Sequence, residues 1–335
     1  MNILNDLIYF TYIDTENENV LKQMYIENPD MFASHLNQIF DIEYRNKLAE
    51  LVGEPIIADP DGTQKELQAI FTEIAHHLHF MMSSSGREFW HSRGVTDTQI
   101  VEYQLGDNWI WLPDEDNHFP TIGDKHYFTK LAQKYRPYLV KNVLKAMWDQ
   151  INTAQTLYGS GHAVCCPSFN KDHVCTGIVF RNINYKSVDG EYKHMYKFFN
   201  PFSWSYIFNY ETYQAYDELI LVEGVFDALA LKRAGYANVI SPSMVRLSPY
   251  QVSLLKNKKL HVIFDHDRGG LEGLKFIKDK MGSDSNLITL ALLPTERDFD
   301  EMTQKEIDEI MEHISEYDVR NLTSKPVKKH RIEKV

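Results

Sequence analysis

The chain has 335 residues, 43% of them hydrophobic and 13% aromatic, which is enough for two domains with sizeable cores. No run of eighteen apolar residues occurs, and no basic stretch precedes the apolar residues of the N-terminal MNILNDLIYF, so we expect no transmembrane helix and no secretory signal. Three cysteines do not suggest a disulfide framework, which favours a reducing cytoplasm.

The net charge of −12 lowers the expectation of a nucleic-acid partner, but the charge is unevenly distributed. Residues 1–80 hold 14 acidic and 4 basic residues, whereas residues 324–335 hold 5 basic and 1 acidic. Charges at a protein surface are screened over about 8 Å at physiological salt, so a local patch matters more than the total. The basic tail is either a solvated end or a contact for DNA or a partner.

The first part of the chain is predicted to be mainly helical. In residues 63–82, apolar residues recur at helical spacing, and His76, His77 and His79 flank that helix. We interpret these histidines as solvated or half-buried, with a metal role as the weaker alternative. Residues 86–109 are predicted to form a helix, a turn at Gly94 and a second helix, which Thr96 caps together with Gln99.

Residues 125–148 form the most basic segment, with six Lys or Arg, five aromatic residues and no acid. Lys141 and Lys145 are four residues apart and share one face of a predicted helix. A solvated helix face and a surface that follows phosphates explain this pattern about equally well.

Residues 160–210 are predicted to form short strands, because aromatic and β-branched residues alternate between turn signals. The segments are HAVCCPSF, TGIVFRNI, YKFFNP and WSYIFNY. Cys165 and Cys166 are adjacent in one of these strands, so their side chains point to opposite faces and cannot chelate one zinc ion together. We therefore expect no zinc.

From residue 218 the pattern changes to strands that alternate with helices. The apolar runs ELILV, NVI, LHVIF and NLITLAL are short and bounded, as buried parallel strands are, and helical segments separate them. This order predicts an open α/β sheet, mostly parallel and flanked by helices.

Five acidic residues lie just after these predicted strands, where ligands bind in open α/β sheets. They are Glu223, Asp265, Asp267, Asp298 and Asp300. Carboxylates grouped in this way suit magnesium, and two metal ions can stabilise both oxygens of an in-line phosphoryl transfer. A single aspartate at a strand end is usually a cap, but five unneutralised acids on one edge would repel one another. Asp227 lies one helical turn after Glu223 and can reach the same edge.

Three glycines fit this interpretation, since a close backbone turn leaves little room for a side chain. Gly224 follows Glu223, and Gly269 and Gly270 follow the Asp-x-Asp pair and lead into a helix whose N-terminus favours anions.

These motifs resemble the Toprim domain shared by bacterial-type primases, topoisomerases and certain nucleases. The matching residues are Glu223-Gly224-x-x-Asp227, Asp265-x-Asp267-x-x-Gly270, and Leu293-Pro294 followed by Asp298-x-Asp300-Glu301. The last motif is most similar to the primase version. Upstream, residues 88–109 resemble the start of the primase catalytic core, and GIVFRNI with YKFFNP resembles a strand and a turn of that core. The resemblance covers residues 86–303.

The resemblance implies a role for each matched residue. Glu223, Asp265 and Asp267 would be catalytic and would hold two Mg²⁺ or Mn²⁺ ions together with Asp298 and Asp300, with Asp227 beside them. Arg181 and Lys197 would contact nucleoside triphosphates or the template, and we assign Lys141 and Lys145 to the same binding group. The partners implied are single-stranded DNA, nucleoside triphosphates and a replicative helicase, with no membrane, in the cytoplasm.

The predicted architecture has four parts. Residues 1–85 are a helical N-terminal region, 86–215 a mixed α+β subdomain of the primase core, 216–303 the Toprim domain and 304–335 a helix with the basic tail. The chain departs from bacterial-type primases because residues 1–80 contain no cysteine and so no zinc ribbon. A compact chain of this kind suggests a primase of a phage or mobile element.

The favoured function is therefore RNA primer synthesis, with two alternatives. A Toprim nuclease would use the same acids for hydrolysis and would need no nucleotides. The second alternative is a non-catalytic DNA-binding subunit of the replication machinery. The intact acids argue against it, because such a subunit would have no need to keep mutually repulsive charges together.

Overall fold

A computed structural model of the protein describes residues 62–109, 122–158, 161–183, 196–198, 206–243, 247, 249–281 and 286–320. The predicted helical structure of residues 1–61 and the basic tail at 324–335 lie outside the described residues. None of the helices within these ranges is long and apolar enough to span a membrane.

The described part begins with helix α1 (Thr63–Phe80), which buries Leu67, Ile70 and Ile74 completely. The three histidines of this helix have ordinary contacts. His79 Nδ1 lies 2.8 Å from the Leu105 carbonyl oxygen, and the His77 ring stacks on Tyr127 at a centroid distance of 3.7 Å. Both contacts agree with histidines that flank a packed helix.

A helical hairpin follows, formed by α2 (Ser84–Ser92) and α3 (Asp97–Glu102). Gly94 turns the chain between them with a φ of 71°, a conformation that favours glycine. The Thr96 hydroxyl accepts a hydrogen bond from Gln99 N, and the Gln99 side chain accepts one from Thr96 N, so the predicted capping box is present. The predicted helix, turn and helix are therefore confirmed.

The next described elements build an antiparallel sheet. Its strands are β1 (Gly106–Asp107), β2 (Ala163–Phe169), β3 (Cys175–Asn182) and β4 (Tyr196–Phe198), in the order β1-β2-β3-β4. Helices α4 (Ile122–Lys134) and α5 (Pro137–Tyr158) precede β2 and share a core with α1 and one face of this sheet. Cys165 belongs to that core and Cys166 to the core on the opposite face, as the strand period requires.

The predicted strand WSYIFNY is wrong in the part that the structure describes. Phe208 makes a single antiparallel bridge with Ser241, and helix α6 (Tyr210–Ala215) begins two residues later. The reason lies in Asn209, whose φ of 62° takes the backbone out of the extended conformation.

The second sheet is parallel, as predicted from the alternating pattern. Its strands are β5 (Glu218–Val222), β6 (Val239–Ile240), β7 (Lys259–Phe264) and β8 (Leu287–Leu292), in the order β6-β5-β7-β8. Helices α7 (Val225–Arg233), α8 (Pro249–Leu255) and α9 (Arg268–Met281) connect them. A 3₁₀ turn (Phe299–Glu301), helix α10 (Gln304–His313) and a second 3₁₀ turn (Ile314–Tyr317) follow β8.

One hydrophobic core joins the two sheets through the helical hairpin. Trp90 of α2 and Phe226 of α7 are both buried, with ring centroids 5.3 Å apart, beside Val164 and Cys166 of the antiparallel sheet. Burying an aromatic side chain of this size stabilises a fold by about 1.5–3 kcal/mol. Because the hairpin lies against α7, the C-terminal end of α2 is brought beside the carboxyl edge of the parallel sheet.

Candidate metal centre and its basic rim

The predicted acids lie at the carboxyl edge of the parallel sheet. Glu223 follows β5 directly, Asp265 and Asp267 follow β7, and Asp298 and Asp300 lie in the segment after β8. Since β5, β7 and β8 are parallel neighbours, these ends face one side of the molecule. This is the edge at which open α/β sheets bind ligands.

Asp227 connects two of these segments by hydrogen bonds. Its Oδ1 accepts a hydrogen bond from Phe299 N at 3.1 Å, and its Oδ2 accepts one from Gly224 N at 3.2 Å. Burial raises the pKa of the Asp227 carboxyl well above its ordinary value, and the charges of Asp265, Asp300 and Asp298 raise it further. Asp227 thus braces the turn after β5 against the loop that carries Asp298 and Asp300.

Asp267 and Gly270 shape the start of α9. Asp267 Oδ1 accepts a hydrogen bond from Gly270 N at 2.7 Å, so this aspartate caps the helix, and Asp267 N donates to the Asp265 carbonyl oxygen at 2.8 Å. A Cβ atom at Gly270 would lie 2.2 Å from the Asp265 carbonyl oxygen. Gly270 therefore allows the start of α9 to approach the end of β7 closely. Gly224, by contrast, has an ordinary φ of −105°. Gly269 lies in the first turn of α9.

Glu223 is held in an environment that disfavours its charged form. Burial raises the pKa of its carboxyl to about 8, and the neighbouring charges of Asp265, Asp267 and Asp298 contribute to the rise. Its Oε2 is buried and accepts no hydrogen bond. A buried carboxylate oxygen without a donor is costly unless a cation approaches it.

Asp300 is also buried, but it has a cation beside it. Arg93 Nε, at the end of the hairpin helix α2, lies 2.5 Å from Asp300 Oδ2. The contact is a charge pair rather than an aligned hydrogen bond, since neither group satisfies hydrogen-bond geometry. Burial raises the pKa of the Asp300 carboxyl to about 6, Arg93 and Arg181 oppose the rise, and Asp298 adds to it.

The residues at this edge fit a hard divalent cation by their chemistry. All the candidate ligands are carboxylates, and the buried oxygens of Glu223 and Asp300 that accept no hydrogen bond are suited to an ion of this kind. As the side chains are placed, no three acidic, histidine or cysteine side chains within the described ranges stand close enough to enclose a metal ion. Metal binding at this site thus requires rotation of some of these carboxylates.

The predicted basic residues are divided between two faces of the antiparallel sheet. Arg181 of β3 lies near Asp300, with its guanidinium carbon 4.7 Å from the centroid of the Phe226 ring. Lys141 and Lys145 are exposed on α5, which packs against the opposite face of that sheet. The backbone of Lys197 pairs with Phe180, and its side chain lies outside the described residues. Among these predicted residues with described side chains, only Arg181 is brought to the acids.

Arg93 is the functional candidate that the sequence analysis missed. Arg93 precedes Gly94 in the stretch of residues 88–109 that resembles the primase core. No local pattern indicated that Arg93 would reach an acid from a distant segment.

The strand order and the acids define the class of domain. Residues 220–303 match the family model described as Toprim-like, and this segment is a Toprim-like domain. The fold as a whole is similar to that of the RNA polymerase domain of Mycobacterium tuberculosis primase DnaG in complex with double-stranded DNA. That structure has a TM-score of 0.52 to this chain, at 13% identity, over 74% of this chain and 80% of that one.

Curated relatives with a higher identity match over a shorter stretch. DNA primase DnaG of Nanoarchaeum equitans is 33% identical over 91 residues, which are 27% of this chain and 24% of the relative. DNA primase DnaG of Sulfolobus acidocaldarius is 38% identical over 93 residues, 27% of this chain and 22% of the relative. The chain thus spans about a quarter of the length of these relatives.

Proposed function

We propose that the chain is a DNA primase, a nucleotidyltransferase that synthesises short RNA primers on single-stranded DNA during replication. The observation that carries the proposal is the group of carboxylates at the carboxyl edge of the Toprim-like sheet, with Arg181 beside it. Carboxylates for metal ions next to a guanidinium group suit a triphosphate substrate. The primase relatives support the same function.

In the proposed site, Glu223, Asp265 and Asp267 are the catalytic ligands, and Asp298 and Asp300 complete the set. Two bound divalent ions, Mg²⁺ or Mn²⁺, supply charge neutralisation at the attacking and leaving oxygens. Of the chain's own groups, Arg181 binds the triphosphate or the template phosphate, with Lys197, Lys141 and Lys145 as further phosphate contacts. Asp227 fixes the loop that carries the last two acids. No general base is required of the protein, because positioning and charge stabilisation account for most of the catalysis.

The proposed division of the chain follows the same scheme. Residues 1–85 form a helical region, 86–215 the first subdomain of the core, 216–303 the Toprim domain and 304–335 the C-terminal helix and tail. The proposed partners are the template strand, nucleoside triphosphates and a replicative helicase in the cytoplasm.

The experiment that tests this function uses the full chain, a single-stranded template, labelled nucleoside triphosphates and Mg²⁺ or Mn²⁺. We expect short oligoribonucleotides from the wild type and a loss of about 10²-fold or more from the Asp265→Asn/Asp267→Asn double variant, since charge stabilisation of this size is typical of such sites. Asparagine keeps a capping oxygen at position 267, so the fold of α9 should be preserved.

The matched control is Arg87→Gln, which removes an exposed ion pair with Asp97. Equal primer yields from the double variant and the wild type would refute the proposal. Degradation of labelled DNA without nucleotides, dependent on the same acids, would identify a nuclease instead.

A further inference from the structure

Arg93 and Asp300 form an ion pair that is more buried than the other arginine–aspartate pair of the same helical hairpin. Arg93 Nε lies 2.5 Å from Asp300 Oδ2, with 22% of the arginine side chain and 2% of the aspartate side chain exposed. Arg87 and Asp97 are also 2.5 Å apart, but 48% and 66% of their side chains are exposed. A buried pair becomes costly when one partner is lost, whereas an exposed pair contributes little.

A second contact holds Arg93 in place beside the acids. Its guanidinium carbon lies 5.1 Å from the centroid of the buried Phe226 ring, and Arg181 contacts the same ring at 4.7 Å. A guanidinium group is attracted to an aromatic face, and the attraction is stronger when the contact is desolvated. Arg93 would therefore keep one attachment to the core if it moved away from Asp300.

The acids of the centre fall into two groups by their neighbours. The charges that act on Glu223 are those of Asp265, Asp267 and Asp298, and none of them is a cation. Asp300 instead has two arginines beside it. Of these two buried acids, Asp300 is therefore the one whose charge the chain itself offsets.

We propose that Arg93 is a built-in counter-ion of the metal centre, which pairs with Asp300 and competes with a divalent cation for that carboxylate. Arg93 thereby positions the loop of residues 298–301 before metal binds, and Asp300 becomes a metal ligand only when the cation displaces Arg93. This inference rests on the proposed metal centre. It adds a positioning residue that the Toprim motifs do not contain.

The first test measures binding of Mn²⁺ alone to the metal-free full chain by calorimetry. Removal of a positive charge next to the acids makes the site more negative, so Arg93→Gln should bind Mn²⁺ about fivefold to tenfold more tightly than the wild type. Arg93→Lys keeps the charge and should stay within about twofold of the wild type. The matched control, Arg87→Gln, should not change the affinity.

The second test removes both members of the pair and does not depend on the stability of Arg93→Gln. Replacing both partners of a buried pair is tolerated better than replacing one. Arg93→Gln/Asp300→Asn should bind Mn²⁺ within about twofold of the wild type, because the pair carries no net charge. Asp298→Asn, two residues away, should weaken binding by about tenfold or more, since it removes a carboxylate of the candidate ligand set. Arg87→Gln/Asp97→Asn is the control double variant.

The outcomes separate this inference from the proposed function. An affinity of Arg93→Gln that equals or falls below that of the wild type would overturn the counter-ion role. A loss of Mn²⁺ affinity in Arg93→Gln/Asp300→Asn as large as that in Asp298→Asn would also overturn the counter-ion role. If the wild type itself binds no Mn²⁺, the proposed metal centre fails, whatever Arg93 does.

Discussion

The two sheets of this protein contribute opposite charges to one site. The parallel sheet ends in carboxylates, whereas the antiparallel sheet brings Arg181 to the same place and buries its other face against α1 and α5. The hairpin of α2 and α3 lies between the sheets and adds Arg93. The acids alone are therefore half of this cluster of charges, and its positive half depends on packing between the sheets.

Two closely packed glycines, Gly270 beside the parallel sheet and Gly106 in the antiparallel sheet, allow the strongest test of the difference between the two sheets. A Cβ atom at Gly270 would lie 2.2 Å from the Asp265 carbonyl oxygen, and one at Gly106 would lie 2.6 Å from the Leu78 carbonyl oxygen. Each change to alanine should lower the free energy of unfolding by about 1–3 kcal/mol, because backbone atoms must move. Gly270→Ala should also weaken Mn²⁺ binding by about tenfold or more, because Asp265 is displaced.

Urea unfolding and Mn²⁺ titration of both variants check this prediction. Gly106→Ala serves as the control, since it should lower stability and leave Mn²⁺ affinity unchanged. Equal effects of the two variants on metal affinity would contradict the separation between the sheets.

A change at Glu223 should affect stability by an amount that depends on pH. Because burial raises the pKa of this carboxyl to about 8, its ionisation in the metal-free protein opposes folding as the pH rises from about 4.5 through 8. Glutamine does not ionise, so Glu223→Gln should match the wild type near pH 4.5 and exceed its stability by about 1–3 kcal/mol near pH 9 in a chelator.

Thermal and urea unfolding at these two pH values test the prediction, and excess Mn²⁺ should reverse the order, because the metal stabilises only the intact ligand set. Asp97→Asn is a suitable control, since the Asp97 side chain is 66% exposed and pairs with Arg87. A Glu223→Gln variant that is less stable than the wild type at high pH without metal would contradict the prediction.

The smallest effect is expected on the far face of the antiparallel sheet. Lys141 and Lys145 are exposed on α5 and are separated from the acids by that sheet. The double change to glutamine should weaken binding of single-stranded DNA by about twofold to threefold at low salt and leave Mn²⁺ affinity unchanged, since it removes at most two phosphate contacts. Fluorescence anisotropy over a range of salt concentrations measures the affinity for single-stranded DNA. A loss of affinity of tenfold or more would place the template on the face that carries Lys141 and Lys145.

Local sequence patterns predicted much of this fold because they report local physics. Apolar runs between turn signals predicted the strands of a parallel sheet, and the Thr96 and Gln99 pair predicted the start of the second helix of the hairpin, because strand burial and helix capping depend on nearby residues. Asn209 shows the limit, since its left-handed backbone ends an extended segment whose composition favours a strand.

By itself, the sequence determined that the five acids follow strand ends, and the parallel order of those strands brings them to one edge. The tertiary structure decided which charges accompany them. It paired Arg93 with Asp300, joined Asp227 to Phe299 N, and put Lys141 on the far face. Contacts between distant segments depend on how sheets and helices pack, and no local periodicity encodes that packing.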